Sequence, residues 1–230
     1  EYGCEFLVFD ETLIDSIWLS NAFTKDPIMN MGQVRWYDKL NKTSTYAVAL
    51  DPAIGTGGDY AAIQIFELPA YKQVGEWRHN TTDIPKQIQI LRSICTYIEE
   101  QVGSTNLYWS VENNGVGEGA LIVINDLGEE NIPGYFVSEP IRKGHVRKFR
   151  KGFNTTHGTK ITACTRLKTM LENSKMIIHS APLLSELKAY VASGHSFKAK
   201  PGESDDLISA VLLILRMMTV LRDWDPKVYN

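Results

Sequence analysis

The chain has 230 residues, 43% hydrophobic and 22% charged, with a net charge of −3. That composition suits a globular protein with one sizeable core and excludes a low-complexity chain. No apolar run approaches the roughly 18 residues of a membrane span, and Cys4, Cys95 and Cys164 lack the spacing of a disulfide framework or a zinc site.

Residues 1–44 show no clean period and carry Pro27 among short apolar pieces. They read as an N-terminal extension or linker packed partly on the main domain, which is expected over 45–222 with a tail at 223–230. The chain opens on Glu1 without a signal-peptide pattern, as expected of a piece of a longer protein. Order begins with the apolar, β-compatible run Tyr46-Ala47-Val48-Ala49-Leu50, which stops at Asp51-Pro52, a turn signal. Gly55, Gly57 and Gly58 allow a tight reversal. Ala61 to Leu68 reads as a second strand and Gln73 to His79 as a third, an antiparallel meander with a turn at Pro69. Ile84 to Val102 is a helix, because Ile84, Ile88, Leu91, Cys95, Ile98 and Val102 recur at steps of three and four.

Leu107 to Val111 is the fourth strand, Gly117 to Leu127 a helix and Tyr135 to Ser138 a fifth strand. A basic segment with loop or hairpin character follows. Thr159 to Asn173 is helical, Lys175 to His179 a short strand, Pro182 to Ala192 a helix and 195–200 extended. Asp205 to Leu221 closes the chain as a helix with Leu207, Ala210, Val211, Ile214, Leu215 and Met218 on one face. Three antiparallel strands followed by alternating helices and strands predict an α/β fold, a mixed central sheet flanked by helices. The order is that of the ribonuclease-H-like (resolvase/integrase-like) fold.

Acids stand where such a sheet converges. Asp51 ends the first strand, Glu112 follows the fourth, and Asp205 and Asp206 open the last helix. Taken singly they are a turn residue, a solvated strand end and ordinary helix-start residues. On adjacent strands capped by one helix they would meet, and like charges a few Å apart do not all stay ionised without a cation. Hard carboxylate oxygens suit Mg²⁺, with Mn²⁺ substituting, as one or two ions. Two such ions assist phosphodiester hydrolysis, so neither a Ser nor a Cys nucleophile is required.

Charge is segregated along the chain. Between Arg142 and Lys168 stand nine basic residues and no acid, leaving −12 on the rest. Arg142, Lys143, Arg147, Lys148, Arg150, Lys151 and Lys160 are the expected contacts to DNA phosphates, a salt-dependent and sequence-tolerant mode.

The segment Ala47-Val48-Ala49-Leu50-Asp51-Pro52-Ala53-Ile54-Gly55-Thr56-Gly57-Gly58-Asp59-Tyr60 resembles the first nuclease motif of the large terminase subunits of tailed bacteriophages, particularly the T-even type. Val111-Glu112-Asn113-Asn114 is similar to their second motif and Ser204-Asp205-Asp206-Leu207-Ile208 to their closing one. Glu1-Tyr2-Gly3-Cys4 resembles the end of their motor domain. The resemblance implies a Mg²⁺-dependent endonuclease domain that cuts concatemeric double-stranded viral DNA during packaging, with little sequence specificity. It gives Asp51, Glu112 and an aspartate of the 205–206 pair as the catalytic, metal-holding acids, with Gly55 and Asp59 supporting the first loop. One departure is Ser204, where many relatives carry His.

The implied partners are DNA, an ATPase motor domain of the same polypeptide, the portal and the small terminase subunit. The implied place is the cytoplasm of the infected host rather than the mature virion or a membrane. The pattern G-x-x-x-x-G-K-[ST] does not occur in these 230 residues, so ATP hydrolysis is not expected of them. Rival readings are a junction resolvase or transposase of the same fold, an actin-like ATPase domain, and a non-catalytic docking module. Intact acids at all the motif positions argue against the last.

Overall fold

The computed structural model describes residues 11–143 and 146–222, with side chains for 11–140 and 150–222. A seven-stranded sheet organises the fold, in the order β1-β2-β5-β4-β3-β6-β7. Its strands are β1 (Met29–Met31), β2 (Val34–Trp36), β3 (Thr45–Asp51), β4 (Ala61–Leu68), β5 (Lys72–His79), β6 (Leu107–Val111) and β7 (Tyr135–Phe136). Pairing is antiparallel from β1 through to β3 and parallel from β3 to β6 and from β6 to β7. The predicted mixed α/β sheet is therefore present, with the first and fourth predicted strands as neighbours.

Helices cover both faces. Along β3 the alternation of strand side chains sends Tyr46, Val48 and Leu50 into a core shared with α2 (Ile84–Val102) and α3 (Val116–Leu127). It sends Ala47 and Ala49 into a second core, beneath α4 (His157–Glu172), α5 (Ala181–Ala189) and α6 (Asp206–Leu221). Asp51 falls in step with Ala47 and Ala49 and so belongs to the α6 face. Small side chains at Ala47, Ala49 and Ala62 let α6 lie close against β3 and β4. α4 and α5 pack on α6 from the other side. The helix is consequently buried nearly all round, Ile208, Leu212, Leu213 and Met217 included, rather than on the single predicted face. Among the described residues no helix is long and apolar enough to cross a membrane.

Four elements differ from expectation. Within 11–44, read from sequence as aperiodic, the chain forms α1 (Ser16–Asn21), β1 and β2, and β2 joins the sheet at β5. Strands of three residues are too short to display a period, and only the Val34/Trp36 alternation marks burial. The strand expected at 175–179 is a single bridge between Lys72 and Ile177. The helix expected to reach Ala192 ends at Ala189, where the chain turns into the hairpin β10 (Tyr190–Ser193) and β11 (Ser196–Ala199). The fifth predicted strand keeps only Tyr135–Phe136. The basic segment does form a hairpin, β8 (Glu139–Lys143) with β9 (Val146–Arg150). The side chains of Arg142, Lys143, Arg147 and Lys148 lie outside the described residues, as do residues 1–10 and 223–230.

Candidate active site

The parallel register of β3 and β6 aligns Leu50 with Val111, and the Glu112 N–H donates to the Leu50 carbonyl at 2.9 Å. Asp51 and Glu112 are therefore neighbours at the same end of adjacent strands. Asp51 is held well above the usual carboxylate range, first by burial, then by the charge of Glu112, then by Asp206 and Asp205. The other three predicted acids thus all act on Asp51.

Asp205 is the residue before α6 and Asp206 its first residue. Burial, followed by the charge of Asp205, pushes Asp206 up to about 6, while the donated Tyr60 N–H and the positive charge of Arg78 pull it back. Asp59 adds to the upward push, so the predicted supporting residue sits in the field of the acid pair. Lys160 Nζ stands 3.9 Å from Asp205 Oδ2. Of the basic side chains expected to meet DNA, Lys160 therefore borders the acids directly. Lys151 instead pairs with Glu129 and lies over the Phe136 ring, and Arg150 is exposed.

The loop after Asp51 is sewn to the start of α2. Gln87 Nε2 donates to the carbonyls of Ala53 (2.6 Å) and Thr82 (2.7 Å), and the Gly57 N–H donates to the Asn80 carbonyl at 2.8 Å. Gly55 has φ +83°, and a Cβ there would stand 2.3 Å from the Thr82 carbonyl oxygen. Both constraints require glycine, so the bend that follows Asp51 depends on Gly55. Beside Glu112, a Cβ on Gly117 would meet the Glu112 carbonyl oxygen at 2.0 Å, so α3 can begin this close only with glycine there.

Several side chains at the site were not singled out from sequence. Asn114 Nδ2 donates to Glu112 Oε1 (3.2 Å) and to the Thr155 carbonyl (3.1 Å). Arg216, in the middle of α6, binds Glu139 Oε1 at 2.7 Å and donates to Thr155 Oγ1 and the Asn154 carbonyl. It ties the base of the basic hairpin to the segment beside Glu112, where Phe153 bridges to Glu112 in parallel. An arginine inside the apolar run Leu212 to Met218 is itself a sequence signal of a buried pairing.

The donor set is oxygen throughout, and its mutual repulsion is what a divalent cation would relieve. Among the described residues no three His, Cys, Asp or Glu side chains already converge as a preformed metal cage. In donor chemistry and mutual repulsion the acids suit a hard divalent cation. A cleft of about 1260 Å³ lies elsewhere, along β7 and α3, lined by Tyr108, Ile122, Tyr135 and Phe136 among others and by none of the four acids.

Adjacent strand ends bearing carboxylates beneath an acid-headed helix define a phosphodiester-cutting enzyme of the ribonuclease-H-like class. Comparison with known proteins agrees. The structure is similar to the large terminase nuclease of thermophilic phage G20c with bound magnesium (TM-score 0.64, 14% identity, covering 88% of this chain and 95% of that one). It is also similar to the large terminase nuclease domain of Thermus phage P74-26 (0.60, 15%, 85% and 90%). A third likeness is to the human cytomegalovirus terminase nuclease domain, soaked with manganese and inhibitor-bound (0.54, 15%, 89% and 94%). At these identities the likeness establishes the fold. Residues 48–218 match the terminase RNaseH-like domain, and the chain belongs to that family. It is a terminase nuclease domain, an enzyme that cuts DNA during packaging.

Proposed function

We propose that the domain cuts concatemeric double-stranded viral DNA with little sequence preference, through a divalent-metal site formed by Asp51, Glu112 and the Asp205–Asp206 pair. The observation that carries this reading is the shared field of these carboxylates, with Asp51 held well above its ordinary range by burial and by the other three. One or two Mg²⁺ ions, with Mn²⁺ substituting, would supply water activation and charge neutralisation at the phosphodiester. The chain's own part is to hold four acids where two inner strands end and α6 begins, orient Glu112 through Asn114, and keep Asp206 on the Tyr60 N–H. The G20c and cytomegalovirus nucleases, described with magnesium and manganese, support the choice of metals. The T-even affinity rests on the wording of residues 47–60. A motor domain of the same polypeptide, the portal and the small terminase subunit are its proposed partners, in the cytoplasm of the infected host. Plasmid incubated with the protein and Mg²⁺ or Mn²⁺ is expected to be nicked and linearised, and excess chelator to stop it. An intact plasmid at high protein concentration removes the reading.

The acids also set a pH dependence. Unfolded aspartates titrate near 3.9, whereas in the fold Asp206 is pushed to about 6 and Asp51 higher than usual. Carboxyls with raised folded values favour the fold while protonated. Their contribution is therefore full below pH ~4 and is lost as pH rises through the folded values. In metal-free protein the site becomes progressively destabilising above pH ~6, and Mg²⁺ offsets that. Mg²⁺ is expected to raise the melting temperature more at pH 7.5 than at pH 5.5. An equal or larger rise at pH 5.5, in thermal melts with and without Mg²⁺, contradicts this site.

The hairpin 139–150 is proposed to hold the DNA backbone. Replacing Arg147, Lys148, Arg150 and Lys151 together by Ala is expected to weaken DNA binding and flatten its salt dependence. Because Lys151 is engaged by Glu129, about three phosphate contacts are lost, lowering the log–log salt slope by ~3. An unchanged slope in salt titrations of a labelled duplex places the groove elsewhere.

A further inference from the structure

Arg78, on β5, is engaged on several sides at once. Its Nη1 donates to Glu186 Oε1 at 2.7 Å and to Ser204 Oγ at 3.2 Å, and its guanidinium lies 4.4 Å from the centre of the Tyr60 ring. Glu186, on α5, is only 4% exposed. Besides Arg78, its Oε1 accepts from Ser204 Oγ at 3.2 Å, and its Oε2 accepts from the Ile208 N–H at 3.1 Å. The chain is thus gripped immediately before the acid pair, at Ser204, and two residues after it, at Ile208. Tyr60, beneath the guanidinium, gives its own N–H to Asp206. One arginine therefore fixes both the loop that leads from Asp51 and the start of α6.

This exceeds what holding α5 against the sheet requires, for which a single ion pair would serve. One nitrogen, Nη1, serves Glu186 and Ser204 together while the guanidinium plane lies over the Tyr60 ring, and a lysine ammonium has no such plane to set against the ring. Ser204, the motif position with no assigned part, acquires one as the link between the two charges. The first turn of α6 has little freedom left, and the acids it carries point where this grip directs them.

We propose that Arg78, Glu186 and Ser204 are positioning residues that orient the Asp205–Asp206 pair toward Asp51 and so set the site's affinity for a divalent cation. The proposal rests on the reading of that pair as metal-holding. Groups that orient metal-holding side chains typically change metal affinity 10–100-fold when replaced.

The test uses the full chain and Mn²⁺ itself, with binding read from the resonance signal of free Mn²⁺ and cleavage measured over a Mn²⁺ series. Arg78→Lys keeps a positive charge opposite Glu186, so the buried carboxylate stays paired. It is expected to weaken Mn²⁺ binding ~10-fold with the melting temperature little changed. Its cleavage rate is expected to return toward the wild-type value at saturating Mn²⁺. Ser204→Ala, which removes one hydroxyl from a half-buried position, is expected to shift binding in the same direction by less. A merely structural role predicts a lower melting temperature or a lower rate at saturation with no change in Mn²⁺ affinity, and that result overturns the proposal. If Arg78→Lys does not fold, Ser204→Ala decides, and wild-type Mn²⁺ affinity in that variant overturns it. Joint replacement of Asp205 and Asp206 by Asn is the control for the underlying reading. Lost Mn²⁺ binding in that double variant with wild-type affinity in the other variants sinks the grip alone, whereas retained binding in the double variant sinks the metal site and the grip together.

Discussion

Asp51→Asn is expected to abolish DNA cutting, by at least ~10³-fold, while leaving the protein folded. Asp51 is the acid on which Glu112, Asp206 and Asp205 all act, and it projects from the centre of the sheet toward the start of α6. An amide there keeps the shape but removes the charge that would draw a cation between the strand ends and the helix. Metal assistance to a phosphodiester transition state is worth several kcal/mol, and ~4 kcal/mol corresponds to that loss of rate. The same substitution removes one member of a mutually repelling set. In the absence of metal the variant is therefore expected to melt no lower than wild type, and higher at pH 7.5. Plasmid cleavage in Mn²⁺ together with thermal melts checks both halves. Cutting at the wild-type rate would mean that the site has been misplaced.

Glu76→Ala is expected to cost about 3–5 kcal/mol of stability, the range for leaving the partners of a buried charge uncompensated. Glu76 lies fully buried on β5. Arg35 approaches it at 3.0 Å, the Tyr37 hydroxyl donates at 2.8 Å and the Ser180 hydroxyl at 2.7 Å, with Gln64 and Gln73 each at 3.3 Å. Burial, with the charge of Glu76 second, drives the Tyr37 phenol far above its ordinary range, so the hydroxyl stays protonated as a donor. Ser180 also caps α5 through the Leu183 N–H, so the carboxylate joins β2, β5 and α5. Alanine would strand these donors, whereas Glu76→Gln keeps an acceptor and should cost less. Urea unfolding measures the difference, and a loss below ~1 kcal/mol would show that water or rearranged side chains satisfy the donors.

The parts of this fold that were legible in the sequence are those with local periodicity. α2 repeats its apolar residues over five turns, and β3, β4 and β6 are apolar runs ended by turn residues, so their bounds are close to those predicted. The acids stand out in the sequence because each directly ends or begins such an element. β1 and β2 were missed because three residues carry no period, and α5 was overextended because Tyr190 and Val191 suit either a helix or a strand until β11 pairs with them. The supports of the site were illegible for a different reason. Arg78 and Glu186 are 108 residues apart, and Arg216 and Glu139 are 77 apart. No spacing rule links side chains across such distances. Only the anomaly of a charge inside an apolar stretch, as at Arg216, hints that a partner must exist.

α6 is both the central beam of one core and the bearer of the Asp205–Asp206 pair. A helix sealed beneath α4 and α5 and seated on β3 and β4 has no low-energy way to loosen alone, because its release opens the whole core. Warming should therefore silence the enzyme only when the molecule as a whole gives way. Residual activity after a heat step and the fraction still folded should fall along one curve, with no temperature at which an intact-looking protein has already lost its chemistry.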